Sequence, residues 1–172
     1  MPDPAPLVSV IIPTRDYTEV LKVCIDGLIN GTSYENFEVL IMDNDSQEPE
    51  TLKFFQEVSS DKIKIIKHPG NFSFSAINNH AAKVARGEIL LLLNNDIEII
   101  HEDWMRELVS HAVRPEIGAV GARLYYPDDR IQHDGIIIGI GGVAGYAHPG
   151  LARSEVGEFG RCLLYTSDAA DE

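Results

Sequence analysis

The chain is poor in cysteine, in positive charge and in long apolar runs, and each shortage closes off a class of function. Only two cysteines, Cys24 and Cys162, occur in 172 residues, and they form no metal-ligand spacing. Cys24 falls on the apolar face of a predicted helix, so it reads as a buried thiol in a reducing compartment; the expected location is cytoplasmic, or at a membrane through other parts of a parent protein. Lys and Arg number 14 against 27 Asp and Glu, a net charge of −13. That balance argues against nonspecific nucleic-acid binding, which needs a basic face. A site for phosphates would instead have to borrow positive charge from a divalent cation. No run approaches the roughly 20 apolar residues of a membrane span, and residues 1–15 lack the charged-then-apolar order of a signal peptide.

Glycine fingerprints are missing where nucleotide folds would need them. Pro13-Thr14-Arg15 follows the first predicted strand, where a dinucleotide-binding dehydrogenase needs its Gly-rich turn. There is no Walker motif, and Ser9, Ser73 and Ser75 have no nucleophile-elbow context. Gly139-Ile140-Gly141-Gly142-Val143-Ala144-Gly145 comes late and leads into no helical stripe, so it reads as a flexible loop near the site.

What is present is a globular composition, 44% hydrophobic and 24% charged, in a length that suits one domain. Residues 1–6 are a Pro-rich lead-in. Leu7 to Ile12 reads as a buried strand stopped by Pro13. Thr18 is placed to cap a helix with Val20, Leu21, Cys24, Ile25, Leu28 and Ile29 on its apolar face, ended by Asn30-Gly31. A second strand, Phe37 to Met42, runs into Asp43-Asn44-Asp45-Ser46. Pro49 opens a helix with Leu52, Phe55 and Val58 as its stripe. Ile63 to Ile66 is a third strand, and His68 to Phe74 a loop turned by Pro69-Gly70. Ser75 is placed to cap the next helix, which carries Ile77, Ala81, Ala82, Val84 and Ala85. The run Ile89 to Leu93 then reads as a strand buried on both faces, ending in Asn94-Asn95-Asp96. A helix with Trp104, Met105, Leu108, Val109 and Ala112 follows, then strands at Gly118 to Leu124 and Ile136 to Ile138.

This alternation predicts a three-layer α/β/α fold with a mainly parallel central sheet and right-handed crossovers. In such sheets ligands sit at the carboxyl ends of the strands. Three predicted strand ends carry polar residues that would meet there: Pro13-Thr14-Arg15-Asp16, Asp43-Asn44-Asp45-Ser46 and Asn94-Asn95-Asp96. One such end is an ordinary turn or cap, but three together make a binding crevice the better reading. Asp43 is placed to accept hydrogen bonds from a base or a ribose hydroxyl, or else to cap the following helix. Asp96 and Asn94 offer hard oxygen ligands for Mg²⁺ or Mn²⁺.

Val8 to Asp16, Val39 to Ser46, Asn71 to Asn79 and Ala85 to Asp96, in that order, resemble family-two glycosyltransferases, including rhamnosyltransferase-like members. The resemblance covers roughly residues 7–125, and residues 131–161 are similar to the middle of such domains. It implies the GT-A fold and a UDP-, dTDP- or GDP-sugar donor. It implies a saccharide or lipid-linked acceptor, in polysaccharide or cell-wall synthesis. Pro13, Thr14 and Asp43 match positions that hold the nucleoside. Asn94-Asn95-Asp96 matches the metal-binding Asp-x-Asp motif, with Asn94 departing at the first acidic position. Asn71, Asn78 and Asn79 fall where the donor pocket is lined, unless they serve only as turn and cap residues. Arg15 is placed to reach a phosphate or to form a surface salt bridge.

The implied chemistry is inverting transfer assisted by a metal. The family's catalytic base lies well downstream of the metal motif, and no residue here matches it; Asp168 and Asp171 are not credible substitutes. His133 and His148 read as ordinary loop residues. Leu164 to Glu172 looks like a non-native tail, residues 162–172 in all. The expected organisation is therefore a nucleotide-sugar-binding domain over residues 7–161, truncated and inactive by itself. The rivals are a nucleotidyltransferase, which favours a Gly-rich basic loop after the first strand, and a non-catalytic nucleotide-sugar-binding module.

Overall fold

A computed structural model describes residues 2–139, 142–146 and 150–153. These divide into two compact units, separated between Val109 and Ser110. The first unit holds a four-stranded parallel sheet: β1 (Val8–Thr14), β2 (Phe37–Asp43), β3 (Ile63–Lys67) and β4 (Ile89–Leu92), in the order β3-β2-β1-β4. Helices α1 (Thr18–Asn30), α2 (Pro49–Val58) and α3 (Phe74–Val84) make the crossovers. The chain steps from β1 outward to β2 and β3, then returns to the other side of β1 as β4. Right-handed crossovers therefore put α1 and α2 on one face and α3 on the other. The expected three-layer arrangement with a parallel centre is the observed one.

Burial follows from that placement. β1 and β2 are interior strands, and both read as unbroken apolar runs because both faces are covered. Side chains alternate along a strand, so Ile11, Leu40 and Met42 meet Ile77 and Ala81 of α3 in one core layer. The carboxylate of Glu38 is buried in the same sheet. Ser9 Oγ donates to it at 2.8 Å, the Arg86 backbone N–H at 2.8 Å and Arg86 Nε at 2.7 Å. Gly87 fits here for a steric reason: a Cβ would stand 2.5 Å from the Ser9 nitrogen and 2.7 Å from the Leu7 oxygen.

Several expectations need correction. β4 is not buried on both faces: among the described residues it pairs with β1 alone, and Leu90 and Leu92 are 45% and 52% exposed. Thr18 does not cap α1. It is the first helical residue, its hydroxyl 2.6 Å from that of Thr51, and Tyr17 precedes it in a left-handed conformation. Ser73, not Ser75, caps α3, accepting from the Ala76 N–H. Val20, Ile29, Leu52 and Val84 are exposed; α2 buries Phe55 as expected, but with Thr51 and Phe54 rather than Leu52.

Helix α4 (Trp104–Ala112) buries Met105 and Val109. Its entry is tied down by Trp104 Nε1 donating to Thr32 Oγ1 at 3.0 Å and Ser33 N–H donating to the Glu102 carbonyl at 2.8 Å. In the second unit the strand expected over Gly118 to Leu124 is only β5 (Leu124–Tyr125), paired antiparallel with β6 (Ile131–His133). The short strand at 136–138 is present as β7 (Ile136–Ile138), antiparallel to β8 (Ala144–Tyr146). His133 ends β6, whereas Cys162, His148 and the 162–172 tail lie outside the described residues.

Candidate functional site

The site is set by register. Thr14 and Asp43 are Cα partners at the carboxyl ends of β1 and β2, and both are buried. Beyond β4 the Leu93 N–H still donates to the Ile11 carbonyl at 2.9 Å, which carries the chain along β1 for one more step. Asn95 then turns back, and its Nδ2 donates to Thr14 Oγ1 at 3.0 Å. Pro13, Thr14, Asp43 and Asn95 are thus gathered from three strands, with Asn94 and Asp96 exposed on either side of Asn95.

Asp43 does not cap α2 directly. Its Oδ1 accepts the Ser46 N–H at 2.9 Å, and among the described residues its other oxygen accepts nothing. The helix start is served by Asp16, whose Oδ1 accepts the N–H groups of Gln47 at 2.8 Å and Glu48 at 3.0 Å. In return the Asp16 N–H donates to Ser46 Oγ at 2.9 Å. Asp16, Tyr17 and Asp45 have φ of 53°, 55° and 69°. A left-handed non-glycine residue costs on the order of 1–2 kcal/mol, least for Asp and more for Tyr. The cross-loop hydrogen bonds hold the two loops in this shape around the open oxygen of Asp43.

The remaining residues are distributed as follows. Arg15 is exposed and makes no hydrogen bond or ion pair among the described residues, so the surface salt bridge is not formed. Asn71 is exposed in the loop before α3. Asn78 is buried, and its Nδ2 donates to the Phe74 carbonyl at 2.8 Å one helical turn back. Asn79 is exposed. Asn44, in the same strand-end motif as Asp43, ties down the neighbouring loop. Its buried amide donates to the carbonyls of His68 at 2.8 Å and Gly70 at 3.1 Å, and so fixes the loop beside Asp43. The amide oxygens of Asn44 and Asn78 are buried without a hydrogen-bond partner among the described residues.

Under the exposed motif lies Cys24, whose thiol donates to the Asn94 carbonyl across 3.7 Å. Burial pushes this thiol up to about 11; contact with the Ile97 backbone opposes that rise and the Asp96 charge adds to it. Across the sheet, burial alone would raise the Glu38 carboxyl. The Arg86 backbone N–H, its guanidinium and the Ser9 hydroxyl together outweigh this and hold it below the usual carboxylate range. Sequence reading passed over this pair; the signal was a single acid inside an apolar strand.

No group of three or more His, Cys, Asp or Glu side chains that could hold an ion occurs among the described residues. The chain offers Asp96 and the amide of Asn94, both exposed and neither hydrogen-bonded or ion-paired through its side chain with a described residue. One carboxylate and one amide suit Mg²⁺ or Mn²⁺, hard ions that keep several waters and complete their shell with phosphate oxygens.

The family model described as "Glycosyl transferase family 2" matches residues 9–137. An uncharacterized protein of Sinorhizobium fredii, y4gI, is 45% identical over 161 residues, covering 92% of this chain and 18% of its own length. The O-antigen biosynthesis protein RfbC of Myxococcus xanthus is 43% identical over 141 residues, covering 82% of this chain and 11% of its own length. This chain therefore spans less than a fifth of either relative. Among solved structures, the mannosyltransferase PcManGT of Pyrobaculum calidifontis, in complex with GDP-Man and Mn²⁺, superposes with a TM-score of 0.62 at 23% identity, over 72% of this chain and 37% of that one.

Proposed function

From the premise that this chain belongs to glycosyl transferase family 2, we propose that it forms the donor half of an enzyme moving a sugar from a UDP-, dTDP- or GDP-sugar to an acceptor hydroxyl. The observation that carries this reading is the convergence of Thr14, Asp43 and Asn95 at one sheet edge, with Asp96 and Asn94 exposed beside them. Asp43 holds the nucleoside through its open oxygen, while Pro13 and Thr14 form the wall beside it. Asn95 orients Thr14. Asn71 and Asn78 line the far side, and Arg15 reaches the diphosphate.

Asp96, with Asn94, would hold a Mg²⁺ or Mn²⁺ ion. Such an ion, when bound, neutralises charge developing on the leaving diphosphate. The chain's own contribution is to hold the nucleoside and aim the diphosphate at Asp96, so that the anomeric carbon faces an acceptor hydroxyl attacking from the opposite side. Inversion follows from a single displacement of that kind. It requires a general base to take the hydroxyl proton, and no residue of this chain is assigned that part. The acceptor is a saccharide or a lipid-linked one, as O-antigen synthesis by the Myxococcus relative suggests. A cytoplasmic setting is supported by the buried free thiol of Cys24; no described helix is long and apolar enough to cross a membrane.

Asp96→Ala tests the reading most narrowly. It should remove the Mn²⁺ dependence of nucleoside-diphosphate binding and leave the melting curve unchanged. If UDP, dTDP and GDP bind the unmutated chain equally well with and without Mn²⁺, the metal role is wrong.

A further inference from the structure

A cavity of about 560 Å³ opens at the turn between β5 and β6, wholly within the second unit, and the donor reading gives it no part. Its wall is made by Tyr126, Pro127, Asp128, Arg130 and Gly150. The volume falls in the range of roughly 300–1,000 Å³ that small-molecule sites occupy. The turn is built stiffer than a connection needs to be. Tyr126 N–H donates to the Arg130 carbonyl at 2.8 Å, and Asp129 N–H to the Tyr126 carbonyl at 3.0 Å. The segment 150–153 is laced to the same turn. Gly150 N–H donates to the Ile131 carbonyl, Ile131 N–H to the Leu151 carbonyl and Arg153 N–H to the Asp129 carbonyl, at 2.8–2.9 Å. Asp129 is held left-handed at φ 61°, a conformation that a non-glycine residue keeps where its surroundings impose it. Arg153 Nη1 stands 3.5 Å from Asp129 Oδ1, and its guanidinium lies 4.9 Å from the centre of the Tyr125 ring.

We propose that this cavity binds one pyranose unit of an uncharged saccharide, with Tyr126 as its platform and Arg130 and Asp128 as its hydrogen-bonding rim. The chemistry of the wall selects that class. Tyr126 is 48% exposed while its backbone is fixed, and Pro127 continues the apolar surface. A pyranose ring carries C–H groups on one face, and these pack on the negative face of an aromatic ring. Around it runs a rim of hydroxyls, which need donors and acceptors in fixed places. Arg130 Nε and Nη2 each lie 2.8 Å from Asp128 Oδ2, and the Arg130 backbone N–H donates to Asp128 Oδ1 at 3.2 Å. An exposed pair of this kind contributes little to stability. What it does is hold the guanidinium in one orientation, with Nη1 engaged by no described residue. It also cancels charge, so the rim offers strong hydrogen bonds without favouring an ionic ligand. A rim set before the ligand arrives keeps the ordering cost of binding low. The acceptor of the proposed transfer belongs to this ligand class; that assignment rests on the donor-half reading, whereas saccharide binding at Tyr126 does not.

The test is an NMR titration of the full chain, read at its backbone amides, with the methyl glycosides of glucose, mannose, rhamnose and N-acetylglucosamine, and separately with inorganic phosphate. The expected result is that at least one glycoside gives saturable shifts at Tyr126, Asp128, Arg130 and Gly150, and that phosphate gives none. Its affinity should fall about tenfold in Tyr126→Ala and stay unchanged in Asp43→Ala. Shifts with no glycoside, shifts with phosphate alone, or an affinity unchanged in Tyr126→Ala would each overturn the proposal. Should Tyr126→Ala fail to melt cooperatively, intermolecular NOEs in the unmutated chain decide. Contacts from the Tyr126 ring protons to the C–H groups of the glycoside are expected, and a bound glycoside without them contradicts the platform. Glycoside binding in a chain that binds no nucleotide would sink the donor reading and leave this site standing.

Discussion

At the scale of single residues, position on a strand decides which polar groups gather at the carboxyl end of the sheet. Asp43 and Thr14 share a face because they share a register. Asn44, one residue on, is spent on the carbonyls of His68 and Gly70. Asp43→Ala should therefore do two things. Loss of a charge-assisted hydrogen bond to the nucleoside, worth about 1.5–3 kcal/mol, weakens nucleotide binding about tenfold to a hundredfold even without metal. Loss of the Ser46 N–H contact lowers the melting temperature modestly. Unchanged affinity for UDP, dTDP and GDP would show that Asp43 does not hold the nucleoside. Cys24 supplies an independent check on packing. Its thiol is raised from 9.0 to about 11, so the folded state keeps a proton that the unfolded state releases above pH 9. Stability should accordingly decline as pH rises from 9 toward 11. Cys24 should also resist alkylation in the folded chain and react once denatured. Prompt labelling of native Cys24 would contradict its burial.

At the scale of elements, the Glu38–Arg86 pair joins β2 to the segment leading into β4. The Glu38 carboxyl is held below 4.5, so its contribution is fully present above that pH and is lost as pH falls through the lower folded value. Arg86→Ala should cost about 1–3 kcal/mol, the range for a hydrogen bond to a charged group with its partner left buried, and should make acid unfolding begin at a higher pH. An acid midpoint that does not move would remove the pair from the stability of the sheet. Gly87→Ala should be comparably destabilising, because its Cβ would meet backbone of β1 that cannot swing aside; an unchanged melting temperature would contradict that close approach.

Element existence was legible in the sequence wherever an apolar run had a sharp boundary. β1 and β2 are interior strands whose continuous apolar runs mean what they seem to mean. The same pattern misled at β4, an edge strand with Leu90 and Leu92 exposed, because periodicity reports hydrophobicity and not neighbours. Helix caps were misplaced for a related reason. Thr18 and Ser75 are good cap residues by type, yet Tyr17 in the left-handed region and Ser73 define the actual helix starts. The gathering of Thr14, Asp43 and Asn95 was readable because these residues follow strands directly. The hydrogen-bonded contact of His68 with His80 was not, since it joins a loop to a helix turn with no motif between them.

At the scale of the whole molecule, the excess of negative charge shapes binding more than any single side chain does. A chain with net charge −13 repels a diphosphate unless a cation intervenes, and that repulsion is screened by salt. Nucleotide affinity without metal should therefore rise with ionic strength, whereas a site dominated by Arg15 would weaken; titrations at low and high salt separate the two. The most direct test of the donor-half reading is calorimetric titration of UDP, dTDP and GDP into the purified chain, with and without Mn²⁺, alongside a thermal melt. A cooperatively melting chain that binds at least one of these nucleotides more tightly with Mn²⁺, and loses that gain in Asp96→Ala, is the predicted result. A cooperatively melting chain that binds none of the three, with or without Mn²⁺, would contradict it.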